Sequence, residues 1–172
     1  MTPTATETPT RPIHRVAKEL VANTGFLLGR LGFQVKAKFM GTLEQAGFEV
    51  YDYNVLAILA EGARETQSTI ADALTLDPSR LVALLDSLEE RGLIVRQRDP
   101  QDRRRHVVTI TADGKRVLSR LREIVKQVEN EFLEPLDAES RKTLHELLAR
   151  LAEHNDPRCA FRSGGAPPTG HN

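Results

Sequence analysis

The sequence predicts a mainly α-helical fold with one small β-hairpin, carried between long helices at either end. Three observations predict it. Apolar residues return at three- and four-residue steps through most of the region between Ile13 and His154. Two short runs rich in β-formers, Leu93-Ile94-Val95-Arg96 and His106-Val107-Val108-Thr109-Ile110, flank the polar link Asp99-Pro100-Gln101-Asp102. Residues that start or stop helices (Thr66, Asp77-Pro78, Gly92, Thr111 and Asp137) stand at the joints between these patterned stretches.

Composition sets the outer limits. A chain of 172 residues has room for one domain with arms. No apolar run approaches the ~18–20 residues of a membrane span, and Met1–Pro12 lacks a signal-peptide pattern, so a cytoplasmic protein with no membrane partner is expected. A single cysteine, Cys159, excludes an internal disulfide and a four-thiolate metal site. Lys plus Arg equals Asp plus Glu at 24 each, so contact with a polyanion requires a local concentration of arginine. Residues 1–12 and 155–172, rich in Thr, Pro, Gly and Asn, read as a disordered N-terminal tail and a flexible C-terminal tail. The domain itself is expected over residues 13–154.

The first helical segment runs from Ile13 to Ala46, with Leu20, Phe26, Leu27, Leu28, Leu31, Val35 and Phe39 on its stripe. Gly25, Gly29, Gly32 and Gly41 interrupt it, pointing to bends or close packing, and Gly47 stops it. A second helix covers Tyr51–Ala60, with Val55, Leu56 and Leu59 inward. Thr66 caps a third over Gln67–Leu74. Asp77 followed by Pro78 starts a fourth, with Leu81, Leu84, Leu85 and Leu88 on one face and Gly92 as its stop. After the hairpin, Thr111 caps a helix over Ala112–Glu134, and Asp137 opens the last helix through His154.

The terminal helices are too long for their own chain. A compact domain of this size has a radius of gyration near ~16 Å. The first segment, if continuous, spans ~50 Å and the post-hairpin helix ~35 Å. Their apolar stripes predict burial against a second copy in a two-fold homodimer. A monomer whose terminal helices fold back on each other is the alternative.

Helix, short turn, helix, then a two-stranded hairpin is a winged helix-turn-helix, here over residues 51–111. A helix fits the ~12 Å major groove, where base edges are distinguishable, and its N-terminal N–H groups favour phosphate. At that end stand Pro78, Ser79 and Arg80, with Ala83 one turn on. Residues Glu65–Ile110 carry eight acids and seven arginines, so the segment is not basic. Its cations instead gather at the hairpin, as Arg98, Arg103, Arg104 and Arg105, where a narrow minor groove attracts arginine. Asp102 is expected to pair with Arg104 and orient it. With Gln67 and Ser68 at the start of the preceding helix, these residues form the candidate DNA-contacting set.

Four stretches carry a resemblance. They are Gly47-Phe48 leading to Tyr53-Asn54-Val55-Leu56; Thr66–Leu74; Leu88-Glu89-Glu90-Arg91-Gly92-Leu93-Ile94; and Asp99–Arg104 through Val108–Gly114. Over residues of about 15–154 the chain resembles the MarR-type (multiple-antibiotic-resistance regulator) family of dimeric winged-helix transcription factors. The resemblance implies a homodimer joined by helices over 13–47 and 112–154, with the fourth helix in the major groove and the wing in the minor groove. The partner would be double-stranded DNA with an inverted-repeat operator. It also implies a repressor released when a small amphipathic or phenolic effector enters a cleft, for which Phe26, Arg30, Phe33, Tyr51 and Tyr53 are candidate lining. Thiol-based sensing is not expected, because Cys159 falls in the C-terminal tail.

Other functions fit less well. There is no HExxH, P-loop, GxGxxG after a strand or GxSxG, so an enzyme is not expected. The five histidines lack metal-ligand spacing, and neither a cofactor nor a metal is expected. Glu89 and Glu90, adjacent on a helix, read as a solvated face rather than an acid/base pair. A winged helix that binds protein and not DNA is the runner-up. The arginines of the wing separate the two only in part. An Arg103→Ala/Arg104→Ala variant is expected to stay folded and dimeric while binding duplex DNA far more weakly in a titration, and unchanged affinity would remove the wing from the interface.

Overall fold

The computed structural model describes residues 15–62, 65–98 and 106–159, in two compact units, Met1–Ala37 and Lys38–Asn172. In the first unit, helix α1 (Lys18–Val21) is followed at once by the start of helix α2 (Thr24–Gln45). The expected single rod is therefore broken, and at Ala22-Asn23 rather than at a glycine. The break has a local cause: the Asn23 side chain accepts the Phe26 N–H at 2.8 Å, capping a new helix. Past it α2 runs unbroken through Gly25, Gly29, Gly32 and Gly41, and a Cβ at the last three would touch nothing within 4 Å. Among the described residues, bends and close contacts do not explain Gly29, Gly32 and Gly41.

The second unit holds the end of α2, helix α3 (Val50–Ala60), strand β1 (Glu65–Thr66), helix α4 (Gln67–Leu74), helix α5 (Pro78–Glu90), strands β2 (Ile94–Arg98) and β3 (His106–Ile110), helix α6 (Ala112–Phe132), helix α7 (Ala138–Asn155) and a 3-10 turn (Pro157–Cys159). Capping accounts for the boundaries. Thr66, Asp77, Thr111 and Asp137 each accept a backbone N–H from the first turn they precede. The hairpin is wider than expected. β1 joins β3 on the side away from β2, giving an antiparallel sheet in the order β1-β3-β2, with Glu65 opposite Val108 and Ile94 opposite Ile110. Two residues carry too little pattern to register as a strand in sequence.

The core lies where the stripes converge. Val55 and Leu56 of α3, Ile70 of α4, Leu81, Leu85 and Leu88 of α5, Ile94 and Val108 of the sheet, and Leu118 and Leu121 of α6 are all buried, joined by Leu43 from the end of α2. Each such side chain contributes roughly 1.5–3 kcal/mol on leaving water. By contrast α7 buries no residue and leaves Leu147, Leu148 and Leu151 exposed. It extends to Asn155, and a 3-10 turn follows over Pro157–Cys159. No helix among the described residues is long and apolar enough to cross a membrane.

The joint between sheet and α6 depends on one glycine. Leu93 offers its carbonyl to the Thr111 N–H at 3.0 Å and to the Thr111 hydroxyl at 3.2 Å, while that hydroxyl accepts the Gly114 N–H at 3.0 Å. A Cβ on Gly114 would collide with the Leu93 carbonyl oxygen and stand 2.8 Å from Ile110 Cγ1. The obstacle is backbone and cannot swing aside. Gly114→Ala is expected to destabilise the fold by about 1–3 kcal/mol, although alanine is the better helix former. Urea unfolding checks this, and wild-type stability would show that α6 can slide on the sheet.

Candidate nucleic-acid interface

Helix α5 is built to show one side. Asp77 is extended (φ −66°, ψ 148°), and its carboxylate accepts the Arg80 N–H at 2.9 Å with Pro78 opening the helix. The stripe Leu81, Leu85 and Leu88 faces the core. The 3.6-residue period then leaves Ser79, Arg80 and Ala83 exposed on the other side. At the start of α4, Thr66 and Thr69 bond reciprocally through side chain and backbone, at 2.8 and 3.3 Å. Gln67, Ser68, Pro78, Val82 and His106 line one open hollow of about 320 Å³. The first turns of two helices thus meet at the head of β3. A helix N-terminus favours an anion such as phosphate, although here caps already take the Thr69 and Arg80 N–H groups.

Arg80 and Ala83 belong to a second hollow, of about 350 Å³, shared with Glu49, Tyr51, Ser87 and Arg91. The Arg80 guanidinium lies 4.7 Å from the centre of the Tyr51 ring. A cation over an aromatic face is held by roughly 0.5–1 kcal/mol at an exposed site, weak enough to yield to a phosphate or a base edge. Arg91 is held more firmly. It stacks at 4.1 Å on Phe48, donates to the Gly47 carbonyl at 3.2 Å and pairs with the buried Asp52 carboxylate at 3.4 Å. Asp52 also accepts the Glu49 N–H at 2.8 Å, so Arg91 locks the start of α3 to the end of α5.

The wing is tied to α5 through Arg96. Its backbone N–H, Nε and Nη2 all donate to Glu89, at 2.9, 2.8 and 2.5 Å, and Nη2 also meets Asp86 at 2.6 Å. Glu89 is therefore not the solvated residue its place beside Glu90 suggested: it is half-buried against β2, and only Glu90 is exposed. The Arg96 guanidinium and backbone N–H hold the Glu89 carboxyl below the usual carboxylate range. Arg98 stands exposed at the end of β2 opposite His106. Asp102, Arg103, Arg104 and Arg105 lie outside the described residues.

The five effector candidates fall on two helices. Phe26, Arg30 and Phe33 are on the first half of α2, where Phe33 is 76% exposed. Tyr51 and Tyr53 are on α3, Tyr53 packed against the core and Tyr51 beneath Arg80. Sequence reasoning missed Arg91, Asp52, Arg96 and Asp86. The Glu89–Arg96 pair spans a turn between a helix and a strand, where no periodicity relates two side chains. Asp52 lay within the α3 pattern, and one polar residue among Val50, Tyr51 and Tyr53 was the available signal.

A helix-turn-helix with a three-stranded wing and an exposed α5 start defines a winged-helix DNA-binding protein. Comparison with known proteins narrows this. A family profile described as "MarR family" matches residues 51–106. A "putative transcriptional regulatory protein for hcr operon" from Thauera aromatica is 32% identical over 149 residues, covering 82% of this chain and 89% of the relative. CouR from Rhodococcus jostii RHA1, solved bound to p-coumaroyl-CoA, is 32% identical, with a TM-score of 0.68 over 84% of this chain and 99% of that one. CouR bound to a 23-mer DNA duplex, titled a transcriptional repressor, is 31% identical with a TM-score of 0.71 over 81% and 99%. The chain belongs to the MarR family: it is a winged-helix regulator of transcription, not an enzyme.

The Arg96–Glu89 link carries a pH signature. A carboxyl whose folded pKa is depressed adds stability above its unfolded value, near 4.5, and loses it as pH falls through the lower folded value. Glu89→Gln is expected to cost about 1 kcal/mol at neutral pH, solvent screening of this partly exposed pair keeping it modest. The variant's deficit should shrink below pH 4 or so, as read by urea titrations at both pH values. An equal deficit at both would assign the effect to packing.

Proposed function

We propose that this protein is a homodimeric repressor that grips an inverted-repeat operator, with α5 in the major groove and the wing arginines in the flanking minor groove. A small amphipathic or phenolic ligand releases it. The observation that carries the reading is the division of α5: Leu81, Leu85 and Leu88 are buried while Ser79, Arg80 and Ala83 face out beside capped helix starts. Gln67, Ser68 and His106 supply backbone contacts, and Arg98, Arg103, Arg104 and Arg105, with Asp102 orienting Arg104, supply the wing.

Two further observations support it. Leu27, Leu28 and Leu31 of α2, and separately Leu147, Leu148 and Leu151 of α7, are between 37 and 52% exposed in the single chain, apolar surface of the kind a second copy would cover. CouR, similar to this chain, was solved bound to a 23-mer DNA duplex and bound to p-coumaroyl-CoA. The hollow beside Tyr51 falls in the lower range of small-ligand sites. It shares Arg80 with the reading surface, so a ligand there alters the residue that meets DNA.

A duplex recovered by selecting genomic fragments on the purified chain provides the test. Two reading helices should sit ~34–36 Å apart, one turn of DNA, on a palindromic site. Affinity should fall ~10³–10⁵-fold between roughly 50 and 200 mM salt if ~6–10 phosphates are contacted. Light scattering should return a dimer at micromolar concentration. A monomer, or flat salt dependence, would overturn the reading, and the second result would favour a protein-binding winged helix.

A further inference from the structure

The turn between α4 and α5 contains the one non-glycine residue with positive φ among those described, Thr75, at φ 54° and ψ 43°. A β-branched residue is a poor occupant of this left-handed region, where its Cβ crowds its own backbone. Such a conformation persists where surrounding contacts over-determine it. The backbone supplies part of the hold, since the Thr75 N–H donates to the Asp72 carbonyl at 3.4 Å and the Leu76 N–H to the Ala71 carbonyl at 3.0 Å. The rest comes from the far end of the chain.

Arg158, in the 3-10 turn after α7, reaches this corner. Asp156 accepts its Nε at 2.7 Å and Nη2 at 2.8 Å, and also its backbone N–H at 3.1 Å. This paired grip fixes the plane of the guanidinium and leaves Nη1 to point outward. Nη1 donates to the Thr75 hydroxyl and, at 3.5 Å, to the Asp72 carbonyl in the last turn of α4. A cation at a helix C-terminus is also favoured by the helix dipole. The Arg158 guanidinium holds the Asp156 carboxyl below its usual range.

We infer that Arg158, oriented by Asp156, is a positioning residue for DNA reading: it clamps the Thr75 turn and so ties the end of α7 to the start of α5. Asp77, the N-cap of α5, lies just beyond Thr75 and Leu76, so the conformation of Thr75 sets where and at what angle α5 begins. The inference rests on α5 being the reading helix. Through the clamp, α7 communicates its attitude to Arg80 and Ser79 without touching them.

Arg158→Ala tests it, with two readouts. In the free chain, amide exchange at Leu76 and Arg80 should quicken by about tenfold, as loss of a charge-assisted hydrogen bond predicts. Affinity for the selected duplex should fall by a similar factor, with the slope of affinity against salt unchanged, because Arg158 contacts no phosphate. Thr75→Gly added to Arg158→Ala should recover most of the loss, since glycine adopts the turn unaided, and Arg158→Lys should lie between. Unchanged exchange and affinity in Arg158→Ala would overturn the clamp. So would a reduced salt slope, which marks a direct phosphate contact. If the wild-type chain retains no duplex, the DNA reading itself fails, and the exchange rates still decide whether the clamp exists.

Discussion

What α5 shows to solvent is placed by the burial of one leucine stripe. Leu81, Leu85 and Leu88 of α5 are each no more than 1% exposed, inserted among Val55, Leu56, Ile70, Ile94 and Leu118. Burial is non-directional and asks only that the stripe be covered. On a helix, though, covering one side commits the opposite side to water. Ser79, Arg80 and Ala83 are presented because their neighbours are hidden.

Burial alone leaves α5 free to roll or slide by a fraction of a turn, and polar contacts remove that freedom. The Asp77 cap sets its first residue, the Arg91–Asp52–Phe48 assembly holds its last turn to α3, and the Glu89–Arg96 pair binds it to β2. Those last two acids of the helix, which look like solvent-facing carboxylates in sequence, divide the labour between wing and water. Gly114 completes the frame by letting α6 approach the Leu93 carbonyl more closely than any side chain permits. Polar contacts thus fix the setting of α5, and on its exposed side Arg80 rests on the Tyr51 ring. A stack of that kind at an exposed site is worth roughly 0.5–1 kcal/mol.

Much of the fold was legible because its signals are local. Caps at Thr66, Asp77, Thr111 and Asp137 and stripes of 3.6-residue period specify α3 to α7 with boundaries correct to a residue or two. Three features were not legible. The Asn23 cap that splits the first segment is a short-range hydrogen bond inside a continuous apolar pattern, so periodicity ran straight across it. Strand β1 has only Glu65 and Thr66 and exists because β3 offers an edge. The Arg158 contact joins positions 83 and more residues apart, and no rule of spacing reaches that far.

Sequence by itself determined the inventory: which segments are helical, which two runs pair as β2 and β3, and which residues gather at the start of α5. These follow from backbone preferences and apolar periodicity, which act between near neighbours along the chain. Tertiary structure alone decided the partners. It set Arg80 on Tyr51, Arg96 on Glu89, Arg91 on Asp52 and Arg158 on Thr75, four cations that composition treats as interchangeable. A long side chain takes its partner from whatever the packed helices bring within reach, and that distance is a property of the core, not of the residue's neighbours in sequence.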